Sequence, residues 1–331
     1  MLAAALAVPA ICALAGLLAG AAGIPVKGAV LELLDHLPLV SVDSGLSPVE
    51  RGLIMELRLP RVVLAGIVGG LLAMAGAGYQ GVFRNPLADP YLLGAAAGAG
   101  LGATLVIVLG QVDALVPPAA FTGAVGGVLL AYALGNATRR GGGGTATLVL
   151  AGVAVASFLS AVQTLVQQLG AEQLQRIYAW ILGGVGADWS QVRLVAPYAV
   201  LSAGVLLAHG RLLDVLSVGD DEAVSLGVSA TRVRLVVLCA ASLATAAAVA
   251  VSGLIGFVGI VIPHVVRRLA GGSYRVVLPL SLLAGAAFLV LADLAARTVI
   301  APAELPIGVI TAFVGGPFFV AVLRATRSVA T

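Results

Sequence analysis

Three histidines, two cysteines, two glycine-rich runs and a few close charge pairs are the residues whose types could carry chemistry in this chain. The first glycine run, residues 141–144, stands before Thr145; the second places Gly98, Gly100 and Gly102 two apart. A phosphate-binding loop of the Walker type must end in Lys followed by Ser or Thr, and the single lysine, Lys27, is followed by Gly28. A dinucleotide fingerprint needs a strand before it and an acidic residue after it, whereas residues 98–102 lie inside an apolar run. His36, His209 and His264 read as isolated from one another and from carboxylates, so neither a metal site nor a catalytic triad is expected. Cys12 and Cys239 stand in apolar stretches without a partner at metal-ligand or redox spacing and read as packing residues. Asp293 and Arg297, four apart near the end of an apolar run, fit a local ion pair and equally a functional surface.

The elements that must position these residues belong to a membrane. Apolar residues make up 60% of the chain and charged residues 10%, against about 45–50% and about 25% in soluble proteins, and the mean hydropathy is +1.11. At roughly 20 residues per crossing, 331 residues could cross a bilayer about ten times. Uncharged apolar runs cover residues 2–22, 62–83, 91–110, 117–137, 146–170, 194–208, 235–262, 276–292 and 306–323. The seventh is too long for one simple span, and residues 252–256 (SGLIG) predict a break inside it. The fold class expected is all-α, a polytopic protein of about ten membrane helices forming one domain over residues 1–331, because irregular backbone facing lipid would leave polar groups unsatisfied. The runs do not alternate as barrel strands do. Residues 2–22 resemble a cleaved signal in their small residues 19–23, but no positive region precedes them, so a retained first helix is expected. Gly66 and Gly70, Gly98 and Gly102, and Gly123 and Gly127 are pairs four apart that let helices approach closely.

Charge sets orientation. With a cytoplasmic amino terminus and alternating spans, Arg84, Arg139, Arg140, Arg211, Arg232, Arg234, Arg267, Arg268, Arg275, Arg324 and Arg327 all fall inside, as the positive-inside rule requires. The net charge of +3 therefore reflects orientation and not a nucleic-acid surface. Lys27, Arg51, Arg58, Arg61, Arg176, Arg193 and Arg297 remain outside and need a reason.

Two connections are longer than a link requires. Residues 211–234 (RLLDVLSVGDDEAVSLGVSATRVR) predict two short amphipathic helices joined at Gly219, with Asp220 and Asp221 placed to cap the second, and so a docking surface for a cytoplasmic partner. Residues 171–190 predict a short outer helix followed by a turn at Gly183, Gly184 and Gly186, with Tyr178, Trp180 and Trp189 suited to a membrane interface.

Residues 58–102 (RLPRVVLAGIVGGLLAMAGAGYQGVFRNPLADPYLLGAAAGAGLG), 216–228 (LSVGDDEAVSLGV), 253–271 (GLIGFVGIVIPHVVRRLAG) and 304–319 (ELPIGVITAFVGGPFF) together resemble the FecCD/BtuC family of ABC importer permeases. The resemblance implies the type II importer permease fold. It also implies two such subunits, as a homodimer or paired paralogues, on two ATPase subunits that hold the ATP and magnesium, with a periplasmic or lipid-anchored binding protein delivering substrate. This chain would then bind no cofactor or metal, catalyse nothing itself, contact no nucleic acid, and reside as a multi-pass protein in the bacterial or archaeal cytoplasmic (inner) membrane. Within residues 212–231 the resemblance assigns ATPase coupling to Leu213, Leu216, Gly219, Asp220, Glu222, Ala223, Leu226 and Gly227. It assigns binding-protein docking to Arg58, Arg61 and Arg297, with Asp293 holding Arg297, and so gives the outer arginines their reason.

The candidate path comprises Gln80 and Asn85, the fifth-span residues Ser160, Gln163 and Gln167, and the broken segment with Gly253, Gly256 and Pro263. Polar groups in the fifth span fit a water-filled path and equally hydrogen bonds between helices. The cargo expected from the resemblance is an iron(III)-siderophore, with cobalamin or haem as alternatives. An ion-coupled secondary transporter is the competing class; it would place acidic residues at mid-span, and none is seen there.

Overall fold

The computed structural model describes residues 2–19, 24–36, 41–137 and 145–327. The 141–144 glycine run, Arg139, Arg140 and most of the 19–23 region therefore lie outside the described residues. Those residues form helices in the order α1 (Leu2–Leu18), α2 (Val26–Asp35), α3 (Pro48–Gly52), a π-helical turn (Leu53–Arg58), α4 (Leu59–Phe83), α5 (Ala95–Val108), α6 (Val116–Ala137), α7 (Thr145–Leu169), α8 (Leu174–Ile181), α9 (Trp189–Ala208), α10 (Gly210–Val218), α11 (Asp220–Ser225), α12 (Ala230–Ser252), α13 (Val258–Ala270), α14 (Tyr274–Thr298) and α15 (Ile307–Arg327). No strand occurs among them.

Among the described residues, six helical stretches are long and apolar enough to cross a membrane: Pro48–Phe83, Asp113–Ala137, Ala146–Leu169, Trp189–Ala208, Ala230–Ser252 and Tyr274–Thr298. Leu6–Leu18, Ala95–Val108 and Ile307–Val322 are apolar but shorter. α5 is the clearest departure from the expected spans. Residues 90–93 form a 3-10 turn closed by Gly94 at φ +80°, so the α-helix starts only at Ala95 and measures about 21 Å at 1.5 Å per residue. The second span starts earlier than the apolar run indicates, because Ser47 and Glu50 form a capping box that nucleates the helix at Pro48. The sixth likewise starts at Trp189, where Asp188 accepts from the Ser190 N–H.

α4 and α12 form the buried centre, while α6, α7 and α9 expose leucine, valine and phenylalanine along much of their length. Exposed apolar faces of this extent belong against lipid or a partner. Small residues allow the central helices to touch backbone to backbone. A Cβ at Gly76 would lie 2.5 Å from the Gly259 Cα of α13, and one at Gly285 of α14 would lie 2.5 Å from the Ala73 Cβ of α4.

The predicted break falls between α12 and α13. Gly253 takes φ +65° and Phe257 φ +69°, which ends one helix and re-aims the next. The freed backbone is satisfied by neighbours: Gly184 N–H donates to Ser252 O (2.9 Å), Ile307 N–H to Gly183 O (3.1 Å) and Gly308 N–H to Leu182 O (3.1 Å). The end of α8, the break and the start of α15 thus meet at one point.

Candidate functional site

Polar chemistry concentrates at the two ends of α4 and α14 and in the connection between α4 and α5. At the end holding the start of α4 and the close of α14, Asp293 is 1% exposed and serves two arginines. Arg61 Nε donates to its Oδ1 at 2.9 Å, and Arg297 Nε pairs with its Oδ2 at 3.0 Å. The other edge of Arg61 forks onto Glu304, at 3.1 and 2.8 Å. Arg297 also donates to Gly16 O (3.1 Å), and Arg58 to Leu17 O and Leu18 O (2.9 and 3.3 Å), which closes the unfinished carboxyl end of α1. The hydrogen bond from Arg61 holds the Glu304 carboxyl below its ordinary range. The structure gathers the three predicted arginines at one end of the bundle, and Asp293 grips Arg61 as well as Arg297. Arg58 and Arg297 are nearly buried, at 7% for the residue and 9% for the side chain, so the solvent-facing member is Glu304, with a side chain 52% exposed.

At the opposite end, α10 and α11 form the predicted helix pair joined at Gly219. Leu213, Leu216 and Ala223 are fully buried and fix the pair to the bundle; the Leu213 side chain covers Gly81 of α4. Gly219 is also buried, and a Cβ there would collide with the Glu222 carboxylate. Asp220, Glu222, Leu226 and Gly227 are exposed, together with Val218 and Val224, which the resemblance did not single out. The predicted capping role of Asp220 and Asp221 is not seen, since no side chain caps α11. The Asp220 carboxylate instead accepts from Arg234 (2.8 and 2.6 Å) and pairs with Arg84, because two guanidiniums outcompete a backbone N–H for one carboxylate.

The predicted path residues divide. Gln80 is buried and fully engaged, donating to Gly259 O (3.0 Å) and Ala88 O (3.3 Å) and accepting from Arg267 (2.5 Å). Gln163 donates to Thr104 Oγ1 (3.2 Å) and ties α7 to α5, and Pro263 is buried within α13. Asn85 is exposed and turns the chain by accepting from Leu87 N–H (2.9 Å). Ser160 is exposed, Gln167 half-buried, and Gly256 has open space around it. Sequence reading missed Asp89 and Tyr91. The Asp89 carboxylate accepts from Tyr91 N–H (2.7 Å), and Tyr91 OH donates to Ile255 O (3.0 Å) and accepts from Ile255 N–H (3.2 Å), which fastens the connection to the break. Asp89, Tyr91, Ser157 and Ser160 line a cavity of about 450 Å³ against the exposed face of α7. A carboxylate in the otherwise apolar PLADPYLLG was the available signal.

No group of three His, Cys, Asp or Glu side chains that could hold a metal occurs among the described residues. The isolation read for the histidines needs one correction. His36 Nδ1 lies 3.8 Å from Glu32 Oε1, four residues away, and that buried carboxylate is shared with Ser44 Oγ (2.5 Å) and Arg51 Nε (3.3 Å).

The described residues are those of a helical membrane protein with a pair of short, partly exposed helices at one end and a buried arginine cluster at the other. The chain belongs to the FecCD transport family, whose profile matches residues 8–325, and is the membrane-spanning permease subunit of an ABC importer. It is 42% identical over 313 residues to the uncharacterized ABC transporter permease YvrB of Bacillus subtilis, covering 93% of this chain and 88% of that one. It is 43% identical over 285 residues to the cobalamin import permease BtuC of Halobacterium salinarum, covering 86% and 76%. A solved ABC transporter of metal-chelate type, in an inward-facing conformation, matches with a TM-score of 0.83 at 29% identity, covering 97% of this chain and 98% of that one.

Proposed function

We propose that this permease works as one of two copies or paralogues, each contributing about ten membrane segments in the cytoplasmic membrane, and imports a chelated metal complex, first an iron(III)-siderophore. The α10–α11 pair seats on separate ATPase subunits that hold ATP and magnesium. The observation that carries this reading is the division of that pair: Leu213, Leu216 and Ala223 bind it to the bundle, while Val218, Val224 and Leu226 stay exposed. Exposed apolar residues on a short cytoplasmic helix are costly unless a partner covers them.

Arg58, Arg61 and Arg297 lie beneath the outer face toward the binding protein, and Glu304 is the member of the cluster that reaches solvent there. Arg61 meets that partner through its Glu304 edge, where a carboxylate of the binding protein can take the place of Glu304. The path follows the exposed face of α7, where Asp89, Ser157 and Ser160 supply polar groups to a water-filled route. Cobalamin is the second reading, favoured by the identity to the haloarchaeal cobalamin permease.

The test of cargo is the ligand retained by the binding protein that docks on this permease, identified by absorbance and mass. An iron-siderophore supports the first reading and a corrinoid the second. A binding protein loaded with a free ion, an amino acid or a sugar rejects both.

A further inference from the structure

The amino end of α14 is capped from another element. Ser273 occupies the N-cap position, yet its side chain caps nothing in its own helix. Its hydroxyl instead donates to Asp214 of α10 (2.7 Å), and the same carboxylate accepts the first free N–H of α14, from Tyr274 (2.5 Å). A carboxylate at this position meets unsatisfied donors and the positive end of the helix dipole together. α10 also abuts α14 directly, since a Cβ at Gly210 would lie 3.2 Å from the Arg275 Cα.

From that cap α14 runs 25 residues, about 37 Å, to Asp293 and Arg297 at the other end. Along the way it cannot slide on α4. A Cβ at Gly69 would lie 2.5 Å from the Leu289 Cβ, and one at Gly70 would lie 2.9 Å from Leu282 O, so the two helices touch backbone to backbone. The pair is pinned at one end by Arg61 on Asp293, and at the other Gly81 of α4 lies against the Tyr274 ring of α14, where a Cβ would stand 3.0 Å from Cε1.

We propose that α4 and α14 act as a single stiff strut across the membrane, and that Asp214 is the positioning residue that fixes the ATPase-facing helix α10 to it. Displacement of α10 is then delivered to the Arg61, Asp293, Arg297 and Glu304 face without being absorbed between helices, and docking at that face is felt at α10. The functional half of this inference rests on the reading that α10–α11 meets the ATPase and the arginine cluster meets the binding protein.

The test has two arms. Spin labels at positions 217 and 299, both exposed, are placed in the full chain in nanodiscs with Cys12 and Cys239 replaced by serine. A single narrow distance is expected with Asp214 present, and a broadened or second population in Asp214→Ala; an unchanged narrow distance in Asp214→Ala overturns the assignment to Asp214. In the assembled complex, the ratio of turnover with loaded binding protein to basal turnover should fall about tenfold or more in Asp214→Ala. Asp214→Asn, which keeps one acceptor for Tyr274 N–H, should fall less. Equal ratios in all three proteins at equal ATPase recovery overturn the coupling role. Should Asp214→Ala fail to insert, Asp214→Asn and Ser273→Ala carry both arms with the same criteria. Failure of the unaltered chain to bind any ATPase rejects the docking reading alone, since the distance arm needs no partner.

Discussion

Replacing Gly76 by alanine sets two known effects against each other. Alanine in a helix interior is favoured over glycine by about 0.5–1 kcal/mol. At Gly76 the new methyl would stand 2.5 Å from the Gly259 Cα, well inside ordinary contact, and what it meets is backbone, which cannot rotate aside as a side chain can. Relief requires α13 to retreat by roughly 1 Å, which would also stretch the 3.0 Å bond from Gln80 to Gly259 O. Overpacking costs about 1–3 kcal/mol, and the rigid neighbour points to the upper end, so a net loss near 2 kcal/mol is expected. Gly204 of α9 is the control, with nothing within 4 Å of the place a methyl would take, and Gly204→Ala should be neutral or stabilising by up to about 1 kcal/mol. Reversible unfolding of the purified chain in mixed micelles measures both. Equal midpoints for Gly76→Ala and Gly204→Ala would refute the close α4–α13 approach.

Three further outcomes follow from the two ends of the bundle. Asp293→Ala removes the buried carboxylate between two guanidiniums and should cost about 3 kcal/mol in the same assay, toward the low end for a broken buried pair because Glu304 still serves Arg61. Glu304 has a folded pKa below its unfolded one, so its contribution is present above the unfolded value and lost as pH falls through the folded value; Glu304→Gln should flatten stability between neutral and acidic pH, and an unchanged pH profile would contradict the pairing. Leu213→Ala should lower stability by about 2–5 kcal/mol, whereas Val224→Asp and Leu226→Asp should leave stability nearly unchanged and reduce ATPase recovery with the chain, measured by affinity purification.

Much of this arrangement was legible because bilayer physics writes it into composition. Uninterrupted apolar runs located the long helices, and the weak helix formers around Gly253 located the break between α12 and α13. α2 was not legible, since ten residues containing Lys27, Glu32 and Asp35 carry no span signal. The direction of side chains was least legible. Residues 211–234 showed an amphipathic pattern, but which face turned inward depended on Gly81 and the start of α14, distant in sequence. Gln80 looked like a path residue because a polar group in a span is expensive. The structure repays that cost with three hydrogen bonds inside the bundle, an outcome equally consistent with its sequence position. The trans-cap by Asp214 left no mark in the sequence, because a cap from another helix has no fixed spacing.

The most direct test of the central claim is purification of the tagged chain from its native membranes under mild detergent, with the recovered subunits identified and the complex reconstituted into liposomes. An importer permease should bring an ATPase subunit with it in comparable amount and support uptake of a chelated metal complex only when ATP is supplied on the α10–α11 side. Recovery of the chain without an ATPase, together with uptake driven by an ion gradient in the absence of ATP, would contradict the account.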